Sequence, residues 1–240
     1  MRGLILAVQF LTRIPTPQLA DFRQEEMTRC AVWFPLVGLV IGLLLWLVTL
    51  MGGASPWLGA LLALLLWTGI TGGLHLDGAA DLADALGAAH RDPEQFFAVM
   101  KDPHTGSFGV MVIVAILMTK LVVLSVLLAT LDDALWPLLL IPAWARLGSV
   151  YWSQTLTAIA PGSGERFAWQ VEPLVLWGWG ILLFMATWLT ISLLIAITVL
   201  LLLWLWRAFL QWRLGGMSGD CLGAGIEYSE CAMLLAVLLL

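Results

Sequence analysis

Residues 171–212 read VEPLVLWGWGILLFMATWLTISLLIAITVLLLLWLWRAFLQW. A helix rises about 1.5 Å per residue, so about 20 apolar residues cross a hydrocarbon core of about 30 Å. This stretch is twice as long as one crossing requires and therefore forms two helices, with the break expected near Thr187 to Ser192. Barrel strands would alternate polar and apolar residues over about 10 positions. No such alternation is present, and helix is the reading. Outward from this stretch, similar runs extend from Ala31 to Met51, Pro56 to Leu76, Phe108 to Leu131, Leu135 to Tyr151 and Leu222 to Leu240. The fold expected is an all-α polytopic transmembrane bundle of about seven spans.

Composition agrees. The 240 residues are 61% hydrophobic and 11% charged, with a mean hydropathy of +0.97. Soluble domains hold roughly 45–50% apolar residues, and a soluble fold could not hide the excess. The net charge of −5 comes without a basic stripe, which excludes nucleic acid as a partner and leaves the lipid bilayer as the surrounding medium. Cys30, Cys221 and Cys231 form neither a disulfide framework nor a CxxC spacing and read as packing residues in a reduced compartment. Met1 to Thr12 starts with a cation and continues apolar, but Arg13, Pro15 and Pro17 interrupt it and no small-residue cleavage site follows. It reads as a retained interfacial helix. With no internal repeat, residues 1–240 are taken as one domain, with the loop 77–107 carrying much of the chemistry.

Positive charge orients the bundle. Arg2, Arg13, Arg23 and Arg29 precede the first span, and Arg91 and Lys101 lie in the loop after the second. Arg146, Arg166, Arg207 and Arg213 fall on the same side, whereas the opposite loops, Gly52 to Ser55 and Asp132 to Ala134, have no Lys or Arg. The positive-inside rule makes the first side cytoplasmic, in the cell inner membrane. Lys120 alone lies deep in a span and must reach a carboxylate or snorkel. Trp33, Trp57, Trp136, Trp152 and Trp169 sit near span ends and read as interface anchors.

Three polar clusters stand at the cytoplasmic ends. Thr71-Gly-Gly-Leu-His-Leu-Asp-Gly-Ala-Ala-Asp-Leu-Ala-Asp84 spaces Asp77, Asp81 and Asp84 at i, i+4 and i+7, on one helical face. With no Lys or Arg between them, these carboxylates must protonate, splay into water or share a cation. Clustered hard oxygens suit Mg²⁺, or Mn²⁺ in its place. Zinc fits poorly, because His75 projects to the other side and His90 and His104 lack ligand spacing with it. In Met100-Lys-Asp-Pro-His-Thr-Gly-Ser-Phe-Gly109, Asp102 and Pro103 could simply cap the next helix. As a site, Gly106 and Gly109 would let backbone N–H groups approach a phosphate, Lys101 would neutralise charge, and Asp102 would add a ligand or base. In Gly215-Gly-Met-Ser-Gly-Asp-Cys-Leu-Gly-Ala-Gly-Ile-Glu227, Asp220 and Glu227 share a face. Glu227 stands about two turns inside an apolar helix, where a carboxylate needs a partner such as an Arg or Lys120.

Together the clusters resemble cobalamin synthase, the adenosylcobinamide-GDP ribazoletransferase family, whose pattern Gly-Gly-x-His-x-Asp-Gly-x-x-Asp-x-x-Asp is matched from Gly72 through Asp84. Similarity continues at Phe10-Leu-Thr-Arg-Ile-Pro15, Phe34-Pro-Leu-Val-Gly38, Lys120-Leu-Val-Val-Leu-Ser125 and the Gly-rich segment ending at Glu227, in order over nearly the whole chain. Ala85 stands where the family usually has Gly, Lys101-Asp-Pro-His104 stands for an Arg-Asp-Ser-Arg-like segment, and Pro161 to Arg166 is all that represents a basic loop. The resemblance implies transfer of the cobinamide phosphoryl group from its GDP ester to α-ribazole or its 5′-phosphate, releasing GMP, with Mg²⁺ as cofactor.

The roles that follow place metal at Asp77, Asp81 and Asp84, and a base at Asp81 or Asp220 with Lys101 and Asp102 beside it. Substrate contacts fall to Arg146, Arg213, His104, Gly106 and Glu227. Self-association, or association with other cobalamin-assembly enzymes, is compatible with this. A CDP-alcohol phosphotransferase would continue from Leu82 with an Ala-Arg pair and two further spaced Asp residues, which this chain lacks. A cation or cofactor transporter would need acids through the outer half of the bundle as well.

Overall fold

The computed structural model describes residues 2–19, 24–88, 93–100, 102–131, 134–159 and 169–240. Its elements are α1 (Arg2–Leu11), α2 (Gln24–Arg29), α3 (Phe34–Thr49), α4 (Pro56–Thr71), α5 (Leu74–Ala88), α6 (Pro93–Val99), α7 (Ser107–Thr130), α8 (Leu135–Thr155), α9 (Pro173–Thr190), α10 (Leu193–Leu214) and α11 (Gly219–Leu239). Short 3₁₀ turns at Cys30–Trp33 and Leu50–Gly52 flank α3. Among the described residues the only β pairing is one isolated parallel bridge, Ala158 to Met217.

All seven expected segments are helical. Five are by themselves long and apolar enough to cross a membrane: Cys30–Gly52, Ser107–Thr130, Pro173–Thr190, Leu193–Leu214 and Gly219–Leu239. The expected span Pro56 to Leu76 is corrected. Its helix stops at Thr71, Gly72 and Gly73 take φ of 63° and 71°, and α5 leaves at 84° to α4. Two consecutive left-handed residues are strained for any side chain but accessible to glycine, which is why the pair sits at this corner. The 171–212 stretch breaks within the expected window: α9 ends at Thr190, and Ser192 caps α10 by accepting the Ile195 N–H at 3.0 Å.

α8 is the helix around which the others gather. Most of its residues from Pro137 to Ser153 are buried, whereas α9 and α10 expose Leu174, Trp177, Ile181, Leu189, Leu200 and Trp204 as surface for lipid. α3 approaches α8 through Gly38 and Gly42. A Cβ on Gly38 would lie 2.5 Å from the Ala143 Cα, and one on Gly42 would strike the Leu138 and Leu139 backbone. Small residues four apart allow this close packing, the usual basis of helix association in lipid.

Two of the expected tryptophan anchors lie inside the protein. Trp152 is fully buried and donates its indole N–H to the Leu203 carbonyl at 2.9 Å, and Trp169 is buried against Phe10 and Phe34. Trp57 and Trp136 are exposed at the starts of α4 and α8, as anchors should be. Cys30, Cys221 and Cys231 are buried, in keeping with a packing role.

Candidate active site

The glycine corner after α4 sends α5 past the first turns of two other helices. Gly78 meets the start of α11 so closely that a Cβ there would lie 2.9 Å from the Asp220 Cα and carbonyl oxygen. Nearly two turns further on, Asp84 reaches the start of α7. Its carboxylate accepts the Gly106 N–H at 2.7 Å and the Gly109 N–H at 2.9 Å. α5 therefore packs at the shared end of α7 and α11, is not among the five helices that are by themselves long and apolar enough to cross, and carries its acids at that end.

The three predicted carboxylates have different surroundings. Asp77 is exposed, Asp81 half-buried and Asp84 buried. The Asp81 carboxyl is pushed up to about 6, first by burial and then by the negative charges of Asp77, Asp220 and Asp84. Asp220 therefore belongs with Asp77 and Asp81, contributed by a different helix. Ser218 fixes the start of that helix by accepting the Cys221 N–H at 3.2 Å. Among the described residues no Lys or Arg pairs with Asp77, Asp81 or Asp220, and no three His, Cys, Asp or Glu side chains close into a ready ligand set. These acids line an opening and do not form a cage.

The second cluster is arranged differently from its sequence expectation. The N–H groups of Gly106 and Gly109, expected to face a phosphate, are given to Asp84, which caps α7 from outside. Asp102 does not cap that helix. It accepts the backbone N–H of His104 at 3.0 Å and meets the imidazole Nδ1 at 2.6 Å, and these contacts hold its carboxyl below the ordinary range. Both side chains are exposed. Lys101 lies outside the described residues, as does the Pro161 to Arg166 segment.

Behind the acidic end lies a buried polar core. Lys120 on α7 donates to Glu227 at 2.7 Å and to Glu230 at 2.5 Å, both on α11, and its ammonium rests 4.1 Å from the centre of the Trp67 ring. Arg146 on α8, fully buried, donates through Nη1 to Glu230, while its Nε and Nη2 have no partner among the described residues. Two cations face two anions, so the set is balanced in charge. Arg146 and Glu227, expected to touch substrate, are held inside this core, whereas Arg213 sits half-buried in the last turn of α10. Glu230 was missed by the sequence reading, although its place three residues after Glu227, on the same face of an apolar helix, was a signal that two carboxylates had to be neutralised.

Comparison with known proteins places this arrangement. The family model described as Cobalamin-5-phosphate synthase matches residues 3–238. Adenosylcobinamide-GDP ribazoletransferase of Thiobacillus denitrificans is 51% identical, over 98% of this chain and 94% of its own length. That of Laribacter hongkongensis is also 51% identical, covering 98% and 96%, and that of Brevibacillus brevis is 38% identical, covering 99% and 98%. No solved structure matches the chain. With the motifs of α5 and α11 joined at one end of the bundle and the match running almost from end to end, the chain belongs to the cobalamin-5-phosphate synthase family.

Proposed function

We propose that this protein is a multi-pass membrane transferase joining adenosylcobinamide-GDP to α-ribazole or α-ribazole 5′-phosphate. The products are adenosylcobalamin, or its 5′-phosphate, and GMP, in the last assembly step of the cobalamin nucleotide loop. The observation that carries the chemistry is the meeting of Asp77 and Asp81 on α5 with Asp220 on α11. A diphosphate ester brings negative charge of its own to this place, so the opening must be neutralised before the two can meet.

Magnesium fits the donor set, because the carboxylates are hard oxygens and Asp81, raised first by burial, is raised further by the charges of Asp77, Asp220 and Asp84. The open arrangement also suits Mg²⁺, which is usually held by one or two carboxylates together with substrate phosphates. Asp77 and Asp81 would hold it, with Mn²⁺ able to take its place, while both Asp84 oxygens are already engaged by α7. Held there, it would supply positive charge to neutralise diphosphate oxygens. Asp220 accepts the proton of a ribazole hydroxyl as that oxygen bonds to the cobinamide-side phosphorus. The bond from this phosphorus to the bridging oxygen breaks, and GMP leaves with that oxygen. Arg213, in the last turn of α10, is the proposed source of positive charge for the phosphate, and Arg146 acts at a distance by holding Glu230 in the buried core.

The acidic end is assigned to the cytoplasmic face of the inner membrane, because the segments that the sequence sets on its side carry Arg2, Arg13, Arg207 and Arg213 while the opposite loops lack Lys and Arg. The test is purified protein with adenosylcobinamide-GDP, α-ribazole and Mg²⁺, followed for GMP. Release that requires all three supports the assignment, and no GMP from folded protein refutes it.

A further inference from the structure

Arg13 follows two residues after the end of α1, in the segment Phe10-Leu-Thr-Arg-Ile-Pro15. Its backbone N–H donates to the Ile70 carbonyl at 2.6 Å, in the last turn of α4, and its side chain then runs over Gly72. A Cβ built on Gly72 would strike the Arg13 Nε and lie 2.8 Å from its Cγ and 3.2 Å from its Cδ. The side chain therefore travels from the end of α4 toward the start of α5. Thr12 fixes the approach: it is buried, and its hydroxyl donates to the Val8 carbonyl at 2.7 Å and accepts the Ile14 N–H at 3.2 Å. Arg13 itself is exposed, and no carboxylate among the described residues pairs with it.

Leu74, Asp77, Gly78 and Asp81 stand at i, i+3, i+4 and i+7, on one face of α5. Leu74, at one end of that face, shares a cavity wall with Phe10 and Leu11 of α1 and with Asp220 of α11. The acidic face is thus turned toward the end of α1. Asp77 donates its N–H to the Gly73 carbonyl at 2.9 Å, which sets it one turn, about 5.4 Å, beyond the corner. Cα–Cβ bonds in a helix lean toward its N-terminus, here back toward Arg13. An unpaired guanidinium next to unpaired acids suits a ligand that offers anionic oxygens to the one and shares a cation with the others.

We infer that Arg13 binds the guanosine-side phosphate of the donor diphosphate and neutralises the charge that GMP gains as it leaves. This rests on the transferase reading above. The order along α5 decides which phosphate. Asp220, the base for the ribazole hydroxyl, packs against Gly78, whereas Arg13 lies over Gly72, more than one turn nearer the corner. The hydroxyl oxygen bonds to the cobinamide-side phosphorus beside Asp220, which takes the proton. The bond from that phosphorus to the bridging oxygen breaks, and its electron pair stays on the oxygen that departs with GMP. The phosphate beyond that oxygen falls on the corner side, to Arg13. A guanidinium can pair two of its oxygens at once, and the interaction strengthens as negative charge develops there.

The test uses the full-length protein in nanodiscs with Mg²⁺, and compares calorimetric binding of GMP and guanosine in wild type, Arg13→Lys and Arg13→Gln. Wild type should bind GMP more tightly than guanosine. Arg13→Gln should weaken GMP about tenfold and leave guanosine unchanged, with Arg13→Lys between. In turnover, Arg13→Gln should lower kcat roughly 10²-fold without changing the KM for α-ribazole. Unchanged GMP affinity in folded Arg13→Gln overturns the inference and leaves Arg13 as a cap on α4. A defect confined to the KM for α-ribazole 5′-phosphate also overturns it, by giving Arg13 to the acceptor. If the variants fail to fold, phenylglyoxal labelling of the wild-type protein, read by peptide mass, decides: GMP should protect Arg13 and α-ribazole should not. Equal labelling of Arg13 with and without GMP refutes the assignment. Protein that binds GMP through Arg13 yet releases none from adenosylcobinamide-GDP and α-ribazole would count against the transferase reading and leave the phosphate contact standing.

Discussion

The Asp84 carboxylate accepts the Gly109 N–H at 2.9 Å across 25 residues of chain, and its other oxygen takes the Gly106 N–H at 2.7 Å. A helix whose own N-cap is glycine has its first amides satisfied by a neighbouring helix, which ties α5 to α7. Asp84→Ala should therefore cost about 2 kcal/mol of stability, and Asp84→Asn less, since an amide oxygen can still accept one bond. Thermal unfolding in detergent checks this, and an unchanged Tm for Asp84→Ala would remove the cap from the account.

The acidic opening has a pH signature. An Asp81 carboxyl raised from 3.8 to about 6 favours the protonated form in the folded state. Its contribution to stability is present below about pH 4 and is lost as pH rises through about 6. Without divalent cation, Tm should decline across that window, the Asp81→Asn variant should lose that part of the decline, and Mg²⁺ should restore wild-type Tm above pH 6. A wild-type profile identical to that of Asp81→Asn would refute the coupling.

Asp81→Asn also separates the acidic opening from the scaffold. GMP release should fall to background while membrane insertion and Tm at neutral pH are retained. A fully active variant would remove Asp81 from the site.

Gly78→Ala tests the contact between α5 and α11. The added methyl needs space now held by the Asp220 backbone, so it pushes Asp77 and Asp81 away from Asp220. Misplacement of catalytic groups by about 1 Å can cost roughly 10²-fold, so kcat should fall by that order. An unaffected kcat would show that the spacing of the two acidic faces does not matter.

The buried core should be strongly coupled. Removing one partner leaves a charge stranded, so Glu230→Gln or Arg146→Met alone should cost about 3–5 kcal/mol. The double variant should cost less than the sum, because neither charge remains, and a double-mutant cycle in unfolding free energy reads the difference. Strict additivity would show that Arg146 and Glu230 do not interact energetically.

Much of the bundle is legible in the sequence because lipid imposes a length rule: seven apolar segments form helices, and the break in the longest falls at Ile191 and Ser192, inside the Thr187 to Ser192 window expected for it. The corner at Gly72–Gly73 is not, because Leu74 and Leu76 prolong the apolar run and only backbone angles reveal the turn. The acidic face is visible through its i, i+4, i+7 spacing. Its division of labour is not, since the amides that occupy Asp84 lie 22 and 25 residues away. Trp152 and Trp169 mislead because a tryptophan near a span end looks alike whether it meets headgroups or, as with Trp152, a carbonyl 51 residues on.

The charge-balanced core draws on helices that do not arrive together. Lys120 and Arg146 are made with α7 and α8, whereas both carboxylates that neutralise them come with α11, after α9 and α10. During synthesis, a ribosome that has delivered α8 leaves two cations in an apolar setting with no counterion from this core. Entry of α11 cancels both charges at once and brings Asp220 to α5, so the event that ends this exposure during biogenesis also assembles the acidic opening.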